Sequence, residues 1–205
     1  FGETQAGKSA VPSDHPLNLG GIGVTGNSAA NEIAKSADLV IGVGTRYTDF
    51  TTSSKWLFQN KDVEFVNINV SEFQAYKLDA VRVIADAREG LDAIHAELMI
   101  RGYKSSYMDE IITAKSKWEK ELERLSGTDY NAKDYKPEVC DDNSGSVKKY
   151  YEDIGSCMTQ TEALALVNKH IAKGAIVIGS SGSLPGDMQR MWRASVPGTY
   201  NMEYG

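Results

Sequence analysis

Apolar and polar positions in the first half of the chain switch between helical spacing and continuous apolar runs. Apolar residues recur every three or four positions at 27–37, which predicts a short amphipathic helix capped by Asn27 or Ser28. Continuous apolar runs follow at 39–43 and 65–70, and such runs are typical of parallel strands covered on both faces. The pattern predicts an α/β fold with the first run as a central strand.

Strands and helices continue to alternate beyond residue 70. The pairs Asp86 with Glu89 and Thr159 with Glu162 have the spacing of capping boxes, which predicts that helices begin there. The later elements predicted are a short strand at 81–85, helices at 86–99, 106–125 and 159–171, and a strand at 175–179. We therefore expect a Rossmann-like parallel sheet followed by the first unit of a second α/β domain.

Two stretches lack a sustained period. Residues 1–26 are rich in Gly, Pro and Asn and predict an ordered loop. Residues 126–157 are rich in Gly, Asp, Asn, Ser, Lys and Tyr, a composition that favours an interdomain linker. The predicted organisation is a domain at 1–125, a linker at 126–157 and a truncated second domain at 158–205.

Charge and composition exclude several classes of function. The 205 residues carry a net charge of -6, which argues against binding to nucleic acid. Neither a membrane-spanning run nor a signal-type segment is present, so we expect a cytoplasmic protein. Cys140 and Cys157 belong to no metal-ligand pattern, and we expect both to be free thiols and no metal ligand in this chain. Because the sequence has no initiating Met and ends without a terminal helix, we expect a piece of a longer polypeptide.

The sequence from Gly21 to Gly26 matches the dinucleotide-binding pattern GxGxxG and precedes the first predicted helix. That pattern binds a pyrophosphate only when a buried strand leads into the first glycine. Residues 11–19 contain two prolines and several polar side chains and make a poor strand. A structural turn is therefore the favoured interpretation, with dinucleotide binding as the alternative.

Gly44, Thr45 and Arg46 follow the first apolar run and are predicted to lie at the edge of the sheet where α/β folds bind ligands. Arg46 would suit a phosphate, or a carboxylate of a neighbouring domain, and we weigh a ligand role and a structural role equally. Asn67 and Asn69 lie within the second apolar run. Buried amides need partners, so contact with a loop and contact with a ligand both remain open.

A second candidate site is the turn after the last predicted strand, which contains Gly182, Ser183 and Leu184 and precedes Pro185. Proline is favoured in the first turn of a helix. Backbone N–H groups at such a strand-to-helix turn bind phosphate in many α/β proteins. The turn is therefore a candidate phosphate site.

Together these segments resemble thiamine-diphosphate enzymes of the acetolactate synthase type. The matching positions are Gly7 and Lys8, Asp14 to Pro16, Gly26 with Ala29 and Ala30, residues 37–46 and residues 67–70. Within that family, residues 3–10 and 47–55 are most similar to the subgroup that hydrolyses a cyclic 1,2-dione in bacterial myo-inositol catabolism. The resemblance covers the chain except the predicted linker.

The resemblance implies a large enzyme of three α/β domains that uses thiamine diphosphate and Mg. The first domain carries the activating glutamate, the middle one is a six-stranded parallel sheet, and the third holds the diphosphate. This chain would comprise most of the middle domain, without its first strands, and the start of the third. No catalytic residue and no metal ligand would lie in it, and we expect the chain alone to be inactive. Implied partners are the flanking domains, a small-molecule substrate and further subunits of a dimer or tetramer.

The resemblance also assigns residues to the cofactor. Gly182, Ser183 and Leu184 match the turn that contacts the diphosphate, although the family usually has Gly-Gln-His there. Thr45 and Arg46 match the loop that holds FAD in acetolactate synthases, whereas the dione hydrolases resembled here are not flavin enzymes. The alternatives are another thiamine-diphosphate enzyme of this type, an autonomous nucleotide-binding module, or a scaffold domain.

Overall fold

A three-stranded parallel sheet organises the first half of the computed structural model, which describes residues 1–130, 144–155 and 157–202. The strands lie in chain order, with β2 between β1 and β3. The elements are α1 (Ser28–Ser36), β1 (Leu39–Val43), α2 (Asp49–Thr52), β2 (Glu64–Asn69), α3 (Glu72–Ala75), a 3-10 turn (Lys77–Asp79), β3 (Val81–Ile84) and α4 (Ala87–Ile100). The predicted α/β class with parallel strands is confirmed.

Side-chain caps begin the helices where the sequence predicts them. The Asn27 side chain accepts a hydrogen bond from the N–H of Ala30 at 3.0 Å, so Asn27, not Ser28, caps α1. Asp86 caps α4, but its carboxylate accepts from the N–H of Arg88 at 2.9 Å and not from that of Glu89. The Asp86 cap is confirmed, whereas the capping-box bond that we expected there is not formed.

The prediction that β1 is a central strand covered on both faces is wrong for this chain. β1 is an edge strand, and alternate side chains are open to solvent, with Leu39 48%, Ile41 45% and Val43 38% exposed. The central strand is β2, whose Ile68 is fully buried beneath Gly90 of α4. A continuous apolar run indicates that both faces suit burial, but it does not say which strands and helices cover them.

The second half contains a smaller parallel unit. Its elements are α5 (Met108–Ser126), β4 (Asp129–Tyr130), α6 (Ser144–Ile154), β5 (Cys157–Met158), α7 (Gln160–His170), β6 (Val177–Gly179), α8 (Leu184–Met191) and β7 (Tyr200–Met202). β6 pairs with β7 in parallel, and β4 pairs with β5 antiparallel. The predicted linker therefore includes α6 and two short strands that its composition did not predict. Its residues 131–143 and 156, with Cys140, lie outside the described residues.

Helix α5 joins the two halves. One apolar cluster packs α1 against α5 through Ala30, Ala114 and Trp118. A second cluster lies in the smaller unit and includes Met188 and Trp192. Leu122 and Leu125 of α5 pack against both clusters, so this one helix extends the core from the first half into the second.

The N-terminal loop, residues 1–26, packs on the smaller unit. As predicted, it forms no helix and only an isolated bridge between Glu3 and Gly21. The Ser9 hydroxyl accepts a hydrogen bond from the N–H of Tyr200 at 3.1 Å, and the Ser9 carbonyl accepts from that of Gly198 at 3.0 Å. The loop is thus ordered by pairing with a segment almost 200 residues away in sequence.

Candidate functional site

The loop that follows β1 is held by contacts to its backbone. Gly44 adopts φ +62° and donates its N–H to the carbonyl of Ile68 at 2.9 Å. The Asn69 side chain donates to the Thr45 carbonyl at 3.1 Å, and the Lys77 ammonium donates to the Arg46 carbonyl at 2.8 Å. The loop therefore has a defined position at the carboxyl edge of the sheet, where the sequence predicts it.

The Arg46 guanidinium at this edge is exposed to solvent. It makes no hydrogen bond or ion pair with any residue that the structure describes. A guanidinium without an intramolecular partner can donate to a phosphate or a carboxylate without first breaking an ion pair. This observation is compatible with a ligand role and does not require one.

Tyr47, the next residue, has a structural position. Its side chain is buried, and its hydroxyl lies against Gly42, where any larger side chain would collide with it. Burial raises the pKa of Tyr47 to about 12. The phenol is therefore neutral at physiological pH and is not poised as a base.

Asn67 and Asn69 bond to neighbouring backbone. The Asn67 side chain donates to the carbonyl of Gln74 in α3 at 2.9 Å, and the Asn69 side-chain oxygen accepts from the N–H of Ser71 at 3.0 Å. Of the two alternatives left open by the sequence, the structure shows contact with loops for Asn69, whereas Asn67 contacts a short helix and its side-chain oxygen is buried without a partner among the described residues. These amides position the segment between β2 and α3.

The glycine turn, residues 21–26, is filled by its own chain. Gly23 adopts φ +104°, and its N–H donates to the Asn31 side chain at 2.9 Å. The N–H of Val24 donates to the carbonyl of Phe50 at 2.8 Å, and that of Asn27 to the carbonyl of Gly21 at 2.8 Å. No strand is formed in residues 11–19. The arrangement matches the structural interpretation, because the N–H groups of residues 22, 23, 24 and 26 are occupied and the required strand is absent from residues 11–19.

Gln189 of α8 is a buried residue that the sequence analysis did not single out. Its side-chain NH2 group donates to the Ile22 carbonyl at 3.1 Å, and its side-chain oxygen accepts from the Thr25 hydroxyl. The side chain is 2% exposed. Gln189 therefore fastens α8 to the glycine turn, a role that no local pattern around it indicates.

The strand-to-helix turn, residues 180–184, is open by contrast. Gly182 adopts φ +118°, and no atom lies within 4 Å of where its Cβ would be. The backbone N–H groups of Gly182, Ser183 and Leu184 donate to no acceptor among the described residues. Ser183 makes no side-chain cap to α8, and Pro185 behind it is buried. Three exposed donors at the start of a helix are suited to phosphate oxygens.

The glycine turn lies between the two candidate loops. On one side it bonds to Phe50 of α2, and on the other it bonds to Gln189 of α8. Among the described residues, no hydrogen bond or ion pair links Arg46 directly to Gly182, Ser183 or Leu184. The glycine turn therefore contacts the helices that follow the two loops, α2 and α8, and the loops themselves are not joined into one charged site.

Residues 1–130, 144–155 and 157–202 contain neither a metal-binding cluster nor a membrane-spanning helix. No group of three or more His, Cys, Asp or Glu side chains is arranged to hold a metal ion in these ranges. None of the helices found there combines the length and the apolar character needed to cross a membrane. Cys157 is a free thiol.

Comparison with known proteins shows two similarities, one for part of the chain and one for all of it. Residues 1–94 match the profile of the thiamine pyrophosphate enzyme central domain. The whole chain is 58% identical to 3D-(3,5/4)-trihydroxycyclohexane-1,2-dione hydrolases of Bacillus cereus, Bacillus thuringiensis and Clostridium tetani. The match includes all 205 residues of this chain, which spans 32% of the length of those relatives. Residues 1–94, a little under half of the chain, are thus similar to the central domain of thiamine pyrophosphate enzymes.

Proposed function

We propose that this chain is a segment of a thiamine-diphosphate-dependent hydrolase that cleaves a carbon–carbon bond in trihydroxycyclohexane-1,2-dione and gives a 5-deoxy-glucuronate. The supporting observation is the 58% identity to hydrolases with that name, which extends over all 205 residues, beyond the central-domain match at 1–94. The identity includes the smaller parallel unit, so the relationship is not limited to a shared scaffold. The reaction would be a step of myo-inositol catabolism, carried out in the cytoplasm.

The turn at Gly182, Ser183 and Leu184 supports a role in holding the diphosphate. Its three N–H groups have no described acceptor and lie at the start of α8. Ser183 and Leu184 replace the Gln and His usual in the family, and the exposed Leu184 side chain offers no hydrogen bond. Backbone donors, rather than side chains, would therefore bind the diphosphate here.

Thiamine diphosphate, when bound, supplies the electron sink for the cleavage of the carbon–carbon bond. The role of this chain is to bind the diphosphate and to orient the cofactor. The N–H groups of residues 182–184 would donate to diphosphate oxygens, and Gln189, which bonds α8 to the glycine turn, would keep these donors in place. Mg²⁺ belongs to the same proposal, because a bound diphosphate is commonly neutralised by a divalent cation. We expect its ligands and the catalytic residues outside this chain.

The domain arrangement is part of the proposal. Residues 1–125 would belong to the middle domain, 126–157 would connect, and 158–205 would begin the diphosphate-binding domain. The parallel pair β6–β7 with α7 and α8 supports the start of an α/β unit there. The flanking domains of the same polypeptide and further subunits of a homo-oligomer are its expected partners.

Turnover of the cyclic dione tests this proposal. The 205-residue chain, supplied with thiamine diphosphate and Mg²⁺, should show no turnover, and an enzyme of the full length of its relatives with this segment in place should hydrolyse the dione. Turnover by the chain alone would contradict its role as a supporting segment. If a folded full-length enzyme does not hydrolyse the cyclic dione but converts another 2-oxo substrate, that result would indicate a different thiamine-diphosphate-dependent reaction.

A nucleotide-binding module is the second candidate, and the free guanidinium of Arg46 favours it. Arg46 lies at the carboxyl edge of the sheet with no described partner, while Phe73 and Tyr76 line a shallow depression after β2. Titration with NAD and FAD by calorimetry decides this point. Micromolar binding that Arg46→Ala abolishes would establish the module, and absence of heat with a folded chain would exclude it.

A further inference from the structure

A small cavity lies where the N-terminal loop, α5 and the segment after α8 meet. Its volume is about 20 Å³, which is enough for one water molecule or one halide ion. Four cationic side chains line it, together with the carboxylate of Glu119; the four are Lys8, Lys115, Arg190 and Arg193. The wall therefore carries an excess of positive charge.

Two of the four acidic groups that act on these cations are bonded to arginines, whereas Glu3, whose buried carboxylate has no hydrogen-bond partner among the described residues, and Asp14 act at longer range. The Glu119 carboxylate accepts from the Arg193 guanidinium at 2.6 Å, and Asp187 accepts from Arg190 at 2.9 Å. Lys115 donates to two backbone carbonyls of the N-terminal loop, which carry no net charge. These contacts leave Lys8 and Lys115 without a carboxylate directly bonded to either ammonium.

Lys8 is the most unusual of these cations. It is only 5% exposed, and its ammonium has no hydrogen-bond acceptor among the described residues; the ring of Tyr200 lies 5.6 Å away. Burial lowers the pKa of Lys8 to about 8; the Glu3 carboxylate opposes this fall and the charge of Arg193 adds to it. The Lys8 ammonium is not among the fully enclosed polar atoms, and the cavity that it lines is where an acceptor could reach it.

The charge of Arg193 also disfavours the protonated form of Lys115. Its charge helps to lower the pKa of Lys115, after burial, while Glu119 and Asp14 act in the opposite direction. Arg193 therefore repels both lysines, and the three cations come from three separate segments around one cavity. A negative charge at that point would reduce all of these repulsions together.

We propose that the cavity binds a small monovalent inorganic anion of the chloride class, held by Lys8, Lys115 and Arg193. The volume excludes large organic anions, and the charge of the wall favours an anion over water. Because Lys8 is in the N-terminal loop, Lys115 in α5 and Arg193 after α8, the anion stabilises the packing of these segments on one another. The inference is independent of the proposed enzymatic activity.

Thermal unfolding in chloride and in gluconate tests the site. At constant ionic strength, replacing sodium gluconate with sodium chloride should raise the Tm of the 205-residue chain by about 2–4 °C at a chloride concentration a few times the dissociation constant. Gluconate is too large for the cavity and serves as the reference anion. Equal Tm values in the two salts would overturn the proposal.

Two methionine substitutions locate the effect. Lys8→Met removes the buried ammonium and should abolish most of the chloride-dependent shift, whereas Lys104→Met removes an exposed lysine and should keep it. A shift that persists undiminished in Lys8→Met would overturn the assignment to this cavity.

Chloride-35 NMR provides a measurement that needs no variant, in case Lys8→Met does not fold. The native chain should broaden the chloride line in excess of a protein-free sample, and bromide should reduce that excess by competition. No excess broadening would contradict the proposal.

Discussion

Two glycine-containing turns of this protein each lie in front of a helix, yet they are built in opposite ways. At the glycine turn, residues 21–26, four N–H groups, those of residues 22, 23, 24 and 26, are bonded within the chain, and the space beside Gly23 is filled by the backbone of Phe50. At the strand-to-helix turn, residues 180–184, the N–H groups are open and nothing lies beside Gly182. Only the second follows a strand, β6.

The difference shows that a glycine pattern by itself does not indicate a ligand site. Glycine permits a positive φ in both turns, at +104° for Gly23 and +118° for Gly182. In the first turn that freedom serves close packing, because α2 and α8 are both attached to it. In the second it leaves donors facing solvent. A glycine turn whose N–H groups are already hydrogen-bonded has a structural role, whereas one whose N–H groups are open can bind a ligand.

Replacing Gly23 or Gly182 with alanine should give the largest change in the free energy of unfolding and tests the difference between the two turns. Gly23→Ala places a methyl group against the Phe50 backbone in addition to straining φ, so we expect the free energy of unfolding to fall by about 3–4 kcal/mol. Gly182→Ala carries only the backbone strain and should lower it by about 1 kcal/mol. Urea unfolding of both variants measures the difference. Equal losses would mean that the two turns are equally packed.

The buried Lys8 gives the packed region a pH signature. Its pKa falls from the ordinary 10.5 to about 8 in the folded chain, so between these values the unfolded state binds more protons. Stability should therefore rise with pH between about 8 and 10.5, by up to about 3 kcal/mol from this group, and the penalty should be fully present below pH 8.

Urea unfolding in chloride-free buffer, compared with Lys8→Met at each pH, isolates the contribution of Lys8. The free energy of unfolding of the native chain, minus that of Lys8→Met, should increase as the pH rises from about 8 to 10.5. A difference that stays constant across this range would show that the Lys8 ammonium is not desolvated.

The contact between α8 and the glycine turn should have a smaller but clear effect. Gln189→Leu leaves the Ile22 carbonyl and the Thr25 hydroxyl without their buried partner, so the free energy of unfolding should fall by about 2 kcal/mol. Gln59→Leu, at an exposed glutamine whose side chain makes no hydrogen bond among the described residues, is the matched control and should change it by less than about 0.5 kcal/mol. Similar values for the two variants would show that the turn does not support α8.

The smallest effect on stability is expected in the open turn. Ser183 is exposed and its hydroxyl caps no N–H group, so Ser183→Ala should leave the free energy of unfolding within about 0.5 kcal/mol of the native value. Urea unfolding measures this change. A loss of 1 kcal/mol or more would mean that the turn has internal contacts, contrary to its open geometry.

Local signals in the sequence predicted most of the helices and strands, but they did not predict which neighbours pack over them. Asn27 and Thr159 mark helix starts because their side chains bond to the N–H groups of the following turn. The apolar run of β1 predicted its bounds correctly and its position wrongly, since an edge strand and a central strand can share the same composition. Helix α6 was missed because its polar composition resembles that of a linker.

The candidate sites were predicted only as far as their chain positions. The sequence placed Arg46 at the sheet edge and Gly182 after a strand, and the structure agrees with both positions. The burial of Lys8 and Gln189 was not predictable, because their partners Tyr200 and Ile22 lie more than 160 residues away in the chain. Contacts of that kind depend on tertiary packing and leave no periodic signal.

The affinity of the full-length enzyme for thiamine diphosphate, measured for two variants of Ser183, tests the central claim most directly. Ser183 has φ -74°, which proline can adopt, so Ser183→Pro removes one N–H donor with little change in the backbone, whereas Ser183→Ala keeps that donor. We expect Ser183→Pro to weaken binding by about 10- to 100-fold, as loss of a hydrogen bond to a charged group predicts, and Ser183→Ala to bind like the native enzyme. Equal affinities of the two variants would contradict the claim that backbone donors of this turn hold the diphosphate.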